Sequence, residues 1–255
     1  MGVGTFQIKA PDDATSVKVY VVGDLHIGSP DCSMRQVRRV LNAITLDDAA
    51  YVAYIGDLMD VALMGSVSNV YKQKKSPGDQ IKDVADLLRP HALLGKIITL
   101  MDGNHEQRLV RAAGISPTAM LAKMLDVEDR YTPTTAIIRA NIGRSAYTLY
   151  ATHGSGGGAT IGAKANSIER LTRIVDADAY VSGHTHEPFV FWRDFVRIDP
   201  TTGAEKMTTR IFANCGSCLT YRGSYGDGRY APASYGYPVI TLYADGRQPD
   251  IQMFL

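Results

Sequence analysis

Five short segments constrain this chain more than anything else in it. They are Gly23-Asp24-Leu25-His26, Gly56-Asp57-Leu58-Met59-Asp60, Gly103-Asn104-His105-Glu106, Thr152-His153-Gly154 and Gly183-His184-Thr185-His186. Each couples a glycine to carboxylate, amide or imidazole donors, and each follows a short apolar stretch rich in β-branched residues. Of the 6 histidines in the chain, only His91 lies outside them. A strand that ends at glycine turns sharply, and the residue beside that glycine is left facing a cleft. Open α/β sheets assemble ligand sites at this edge, beyond the carboxyl ends of their strands.

The stretches between the segments read as alternating strands and helices, the signature of a layered α/β domain. Strands are expected over 17–22, 51–55 and 96–101. A helix is expected over 34–44, with Val37, Val40, Leu41 and Ile44 on one face. Ser76-Pro77 and Ser116-Pro117 are helix starts, a capping hydroxyl followed by proline at the first helical position. The first of these helices is expected to end near Leu88, before Pro90; the second is expected to reach Leu125. Residues 135–140 and 146–151 read as paired strands around a turn at 141–144. A glycine-rich loop at 154–158 then leads into a helix over 162–175, and a short strand is expected at 179–182. From Phe189 the pattern is all β: strands over 189–198, 206–213 and 237–243, with a Gly- and Tyr-rich surface loop at 219–236. No internal repeat or interdomain linker interrupts this order, so residues 1–255 read as one domain.

Composition excludes several function classes. The net charge is +1, so no global field draws the chain to nucleic acid or membrane. No run of about eighteen apolar residues exists to span a bilayer. The first ten residues lack the apolar centre of a signal peptide, and Phe6 stands where a myristoylation motif wants Ser or Thr. The 3 cysteines are an odd number in a long chain, and Cys215 and Cys218 have no second pair to complete a zinc site. These features point to a reducing, cytoplasmic setting and to small buried thiols.

Taken singly, the segments have ordinary explanations: an Asp after a strand caps a turn, and Gly-Asn turns are common. Taken together they supply the mixed oxygen and nitrogen donors that suit Mn, Fe, Zn, Co or Ni. Asp24 and His26 can reach one ion from a turned backbone. Asp57 can bridge two cations about 3.5–4 Å apart, as two-metal sites require. Asn104 offers a carbonyl oxygen, and its amide group can donate to phosphate. His105 is then free for proton transfer, with Glu106 expected to hold its imidazole in one tautomer. Asp60 reads as a cap or as a residue orienting a ligand. His184 and His186 flank Thr185 and can serve different ions, with His153 joining from the preceding strand end.

The order GDLH, GDLMD, GNHE, THG, GHTH resembles the calcineurin-like metallophosphoesterases. The motifs cover Gly23 to His186. The later Asn214-Cys215-Gly216-Ser217 is similar to that family's Asn-Pro-Gly-Ser turn, with Cys in place of Pro. The resemblance implies an α/β fold in four layers, an αββα sandwich of two central mixed sheets flanked by helices. It implies two divalent ions, manganese first among the candidates. One would be bound by Asp24, His26, Asp57 and His186, the other by Asp57, Asn104, His153 and His184. It also implies His105 as the catalytic acid, with Asn104 and Glu106 beside it, and a bridging hydroxide attacking phosphorus in line. The two Asp carboxylates and that hydroxide leave the site about one positive charge to draw in a phosphate oxygen.

The expected substrate is a phosphate mono- or diester, possible forms being a nucleotide or a nucleic acid. Arg108 and Lys164 are candidate substrate-binding residues, Lys164 acting with the 155–158 amides on a second phosphate. The run Tyr71-Lys72-Gln73-Lys74-Lys75 suits a nucleic-acid backbone. The start Asp24-x-His26-x-Gly28 is compatible with a nuclease of the DNA-repair type, the alternative within the same family; against it stand the near-neutral charge and the lack of an extra DNA-capping domain. A non-catalytic binding module on the same fold is the third reading, and its mark would be eroded ligands. Here every ligand position is filled.

Overall fold

The computed structural model describes residues 3–66, 70–156, 158–221, 227 and 235–255. Two six-stranded mixed sheets stack face to face with helices outside them, giving the four-layer αββα arrangement. The first sheet is built around β2 (Ser16–Val22), β3 (Ala50–Tyr54) and β4 (Ile97–Met101), which run parallel. Short β5 (Tyr131–Thr132) extends it on one side. On the other side β11 (Tyr237–Tyr243) and β12 (Asp250–Phe254) add antiparallel. Val19, Val21, Val22, Val52 and Ala53 are fully buried, the outcome expected when β-branched runs have a layer on each face.

The second sheet runs in the order β1 (Val3–Lys9), β6 (Thr135–Ile142), β7 (Ser145–Thr152), β8 (Ala179–Ser182), β10 (Glu205–Asn214), β9 (Phe189–Ile198). Strands β6 and β7 form the expected hairpin, and β8 lies parallel between β7 and β10. Strands β1, β5 and β12 carry too little apolar pattern to be read from sequence. The first pairs with β6, more than a hundred residues away.

Helix α1 (Met34–Leu46) buries Val37, Val40, Leu41 and Ile44, the face anticipated from spacing. Its carboxyl end is closed by Lys96, whose Nζ donates to the carbonyls of Ile44, Thr45 and Asp47 at 2.7, 3.1 and 2.7 Å. Helix α2 (Pro77–Leu93) starts at the Ser76 cap but does not stop before Pro90. Pro90 and Asp86, whose carbonyl loses its helical donor, are both exposed, so that carbonyl is not left buried without a partner. The last turn is anchored by buried His91, which meets the Tyr54 hydroxyl at 2.6 Å and the Leu41 carbonyl at 3.0 Å. Helices α3 (Glu106–Ala113) and α4 (Pro117–Met124) follow β4, and α5 (Ile161–Glu169) lies against the second sheet. Helix α5 is shorter than the expected 162–175: Thr172 donates to the Glu169 carbonyl at 2.8 Å and the chain tightens into a 3₁₀ turn at Arg170–Arg173. No helix among the described residues is long and apolar enough to cross a membrane. Most of the expected 219–236 loop lies outside the described residues, as does part of the 155–158 glycine loop.

Candidate metal centre

The five segments meet at one edge of the sandwich, just past β2, β3 and β4 of one sheet and β7 and β8 of the other. Turning donors back over strand ends demands unusual backbone. Asp24, His26, Asp57, His184 and His186 all take left-handed conformations, with φ between 51° and 67°. Such strain costs a non-glycine residue about 1–3 kcal/mol and persists where function retains it. Two glycines let the loops interlock. A Cβ on Gly103 would fall 2.1 Å from Asp57 Oδ1, and one on Gly183 would fall 2.5 Å from Asp24 Oδ2.

One oxygen of each carboxylate is tied down. Asp57 Oδ1 accepts the His105 backbone N–H at 2.8 Å, and Asp24 Oδ2 accepts that of His184 at 3.0 Å. The other oxygens, Asp57 Oδ2 and Asp24 Oδ1, are buried without any hydrogen-bond partner among the described residues. Around Asp57 Oδ2 stand the Nε2 atoms of His153, His105 and His26 at 3.4, 3.8 and 3.9 Å. Around Asp24 Oδ1 stand those of His186 and His26 at 3.2 and 3.8 Å, themselves 3.1 Å apart. Asn104 Oδ1 lies 3.0 Å from His153 Nε2 and 2.7 Å from His184 Nδ1. Two donor groups share Asp57: Asp24, His26, Asp57 and His186, and Asp57, His153 and His184, with Asn104 beside the second; a third group, His26, Asp60 and His105, adjoins the first through His26. An orphaned buried carboxylate oxygen is expensive, and a cation is the partner it lacks. The residues fit divalent metal ions.

Charge in the cluster follows from burial and proximity. Burial alone would raise the Asp57 carboxyl, but His153 and His105 hold it well below the usual carboxylate range. Burial opposes the charge on His153, yet Asp57 outweighs it and pushes the imidazole up to about 10. His26 goes the other way: burial, then the charge of His105, push it down to about 4, leaving a neutral ring. Its Nε2 faces Asp24, Asp57 and His186, while Nδ1 lies 3.5 Å from Asp60 Oδ1.

His105 lies at the rim of this cluster. Its Nδ1 meets the Asp60 carbonyl at 2.7 Å and Asp60 Oδ1 at 3.2 Å. The expectation that Glu106 would hold this imidazole is corrected by the structure. Glu106 opens α3 fully buried, and its carboxylate turns back to accept the backbone N–H groups of Asp57, Met59 and Gly103 at 2.9, 2.9 and 2.8 Å. Burial and the Asp57 charge push its carboxyl up to about 7, while the Met59 and Gly103 donors pull it down. Glu106 ties two ligand loops together, and Asp60 is the carboxylate that faces His105. The i, i+3 pair Asp57 and Asp60 is the sequence signal for this arrangement.

The candidate substrate residues fare differently. The Arg108 guanidinium lies across His105, with Nη2 2.9 Å from Nε2 and Nη1 3.2 Å from the Asp60 carbonyl, so it adjoins the cluster. Lys164 is ion-paired to Glu187, a residue sequence reasoning passed over. That pairing, rather than an open phosphate cradle, is what the structure gives Lys164. Asn214 supports the same loop, donating to Thr185 Oγ1 and to the Glu187 carbonyl, both at 2.9 Å. Also missed were Gln73 and Gln80, which connect to Asp60 from outside the five segments.

An αββα sandwich whose strand ends gather two orphaned carboxylate oxygens, an amide and four histidines is the framework of a metallophosphoesterase. Residues 17–188 match the calcineurin-like phosphoesterase family, and the chain belongs to that family. Similar solved structures include a Vps29 single mutant from Entamoeba histolytica, at 16% identity and a TM-score of 0.48, covering 93% of this chain and 98% of that one. A metallophosphoesterase from Sphaerobacter thermophilus is 17% identical with a TM-score of 0.40, over 94% and 88% of the two chains. No curated protein matches the sequence.

Proposed function

We propose that the protein is a dinuclear metal-dependent phosphoesterase that hydrolyses phosphate mono- or diesters. The observation that carries this reading is the orphaned Asp57 Oδ2, common to both donor groups and ringed by three imidazole nitrogens. Asp24, His26, Asp57 and His186 would hold one ion, and Asp57, Asn104, His153 and His184 the other, with manganese the first candidate. When bound, the ions supply Lewis acidity, activating water and offsetting charge on the phosphoryl group. The chain's own residues do the rest. His105 donates Nδ1–H to the Asp60 carbonyl, so a proton on its other nitrogen belongs to the imidazolium. Burial opposes that charge, but Asp57 and Asp60 raise the pKa above its ordinary value, and the imidazolium would deliver the Nε2 proton to the leaving oxygen. The family's divalent-ion requirement and the intact donor set support an enzyme over a binding module.

A nuclease is the second reading, favoured by one observation. Tyr71, Lys72, Lys74 and Lys75 are exposed on the segment that reaches Asp60 through Gln73. A manganese-supplied panel of chromogenic mono- and diesters, mononucleotides, cyclic nucleotides and oligonucleotides separates the two. Ester hydrolysis abolished by chelation supports the phosphoesterase, and salt-sensitive strand cleavage moves the reading to the nuclease. His105→Asn is expected to keep both ions and lose about 10²–10⁴-fold in kcat. Turnover equal to wild type would remove His105 from the mechanism.

A further inference from the structure

Behind His105 and His26 runs a chain of side-chain amides that the reaction as described does not use. Asp60 presents Oδ1 to both imidazoles, 3.2 Å from His105 Nδ1 and 3.5 Å from His26 Nδ1. Its Oδ2 accepts Gln73 Nε2 at 2.6 Å. Gln73 Oε1 in turn accepts Gln80 Nε2 at 2.9 Å. Gln80 is fully buried, with Nε2 also donating to the Lys75 carbonyl at 3.1 Å and Oε1 accepting the Val61 N–H at 3.0 Å.

The direction of every amide in this chain is forced from the backbone inward. A backbone N–H can only donate, so Gln80 must turn its oxygen to Val61 and its nitrogen to Lys75. That leaves the second Gln80 hydrogen for Gln73, which must answer with its oxygen. Gln73 therefore has only its N–H₂ to offer Asp60. The bond to Oδ2 opposes rotation of the carboxylate and so favours keeping Oδ1 on the two rings. Space for Gln80 is provided by Gly28: its φ is +103°, and a Cβ there would lie 2.2 Å from Gln80 Cδ.

We propose that Gln73, oriented by Gln80, is a positioning residue that locks the Asp60 carboxylate against His105 and His26. It acts through Asp60 and touches neither ion nor substrate. The inference rests on the phosphoesterase reading, since its consequence is felt by the proton donor. Outer-shell partners that orient a functional group are typically worth about 10–100-fold.

The experiment is a double-mutant cycle on kcat, using Gln73→Met and Asp60→Asn in the manganese-loaded full chain, with esters of good and poor leaving groups. Chelator-sensitive hydrolysis by wild type is checked first; its absence sinks the phosphoesterase reading, not this inference alone. Given that activity, Gln73→Met is expected to lose about 10–100-fold in kcat on the poor leaving group, and less on the good one, with KM and metal content unchanged. In the Asp60→Asn background the same change is expected to cost almost nothing, because the residue it positions is already gone. Equal losses in both backgrounds, or no loss in either, overturn the proposal. Gly28→Ala, which displaces Gln80 instead, supplies an independent arm: it should reproduce the leaving-group dependence of Gln73→Met. A loss uniform across leaving groups in both variants marks a merely structural role.

Discussion

The two sheets contribute unlike walls to the site. The loops after β2, β3 and β4 supply both carboxylates, the Asn104 amide, His26 and His105, and Asp24, His26 and Asp57 have no solvent exposure at all. The loops after β7 and β8 supply imidazoles alone, two of them, His184 and His186, half-buried. The charged wall sits where backbone N–H groups converge. Asp57 takes one from His105, Asp24 takes one from His184 across the sheet interface, and Glu106 clasps three more. An imidazole needs only one orienting partner, as when His153 Nδ1 donates to the Ile55 carbonyl at 2.9 Å, and His184 and His186 keep part of their surface exposed. Desolvation is therefore concentrated on the carboxylates, and ions held by both walls would also join one sheet to the other.

The most damaging way to probe this asymmetry is Asp57→Ala. Both donor groups lose their common oxygen, so elemental analysis should find neither ion and the ester assay no metal-dependent turnover. His186→Ala removes a donor from one group only, and metal content should fall by about half, with the remaining ion bound through Asp57, Asn104, His153 and His184. If the two variants bind equal amounts of metal, the walls are not unlike in the way described.

Next in size is Gly103→Ala. The added methyl would meet Asp57 Oδ1 at 2.1 Å. Relief needs backbone movement, so a stability loss of about 1–3 kcal/mol is expected in denaturant melts, together with weaker metal binding. A melt indistinguishable from wild type would mean that the loops are not interlocked.

Per pH unit, the effect of titration on metal affinity is comparable in size to that of Gly103→Ala on stability. In the metal-free protein, burial works against charge on His153 but Asp57 raises its pKa to about 10, well above its ordinary value. The stabilisation from that proton is complete below the ordinary histidine value and is lost as pH rises through about 10. A metal must displace the same proton. Affinity should therefore climb with pH through this window, by up to about tenfold per unit for one proton released. Calorimetry in buffers of different ionisation enthalpy would detect that proton; pH-independent affinity would place the charge elsewhere.

Much of the site was legible before any coordinates. His and Asp after glycine at strand ends declare themselves because the turn, the donor type and the strand period must all agree at one position. Glu106 misled for a physical reason: adjacency to His105 in sequence implied contact, but consecutive residues at a helix start point in different directions, and the buried carboxylate went to three backbone donors. Gln73 and Gln80 carry no motif. Their role exists only because Gly28 opens a space that brings α2 against the loop after β3. In the fold, the central strands were readable from their apolar runs. Strands β1 and β12 were not, since each is half polar and sits at an end of its sheet. Pro90 was misread because a helix stop is a local rule, and His91 outweighs it with tertiary bonds to Tyr54 and Leu41.

In the proposed enzyme one oxygen of Asp57 would serve two cations at once. Anomalous diffraction from crystals equilibrated with manganese tests it without reference to any substrate. Two peaks are expected to flank Asp57 Oδ2, one within reach of Asp24 and His186, the other of Asn104, His153 and His184. A single peak, or two that share no Asp57 oxygen, would contradict that arrangement.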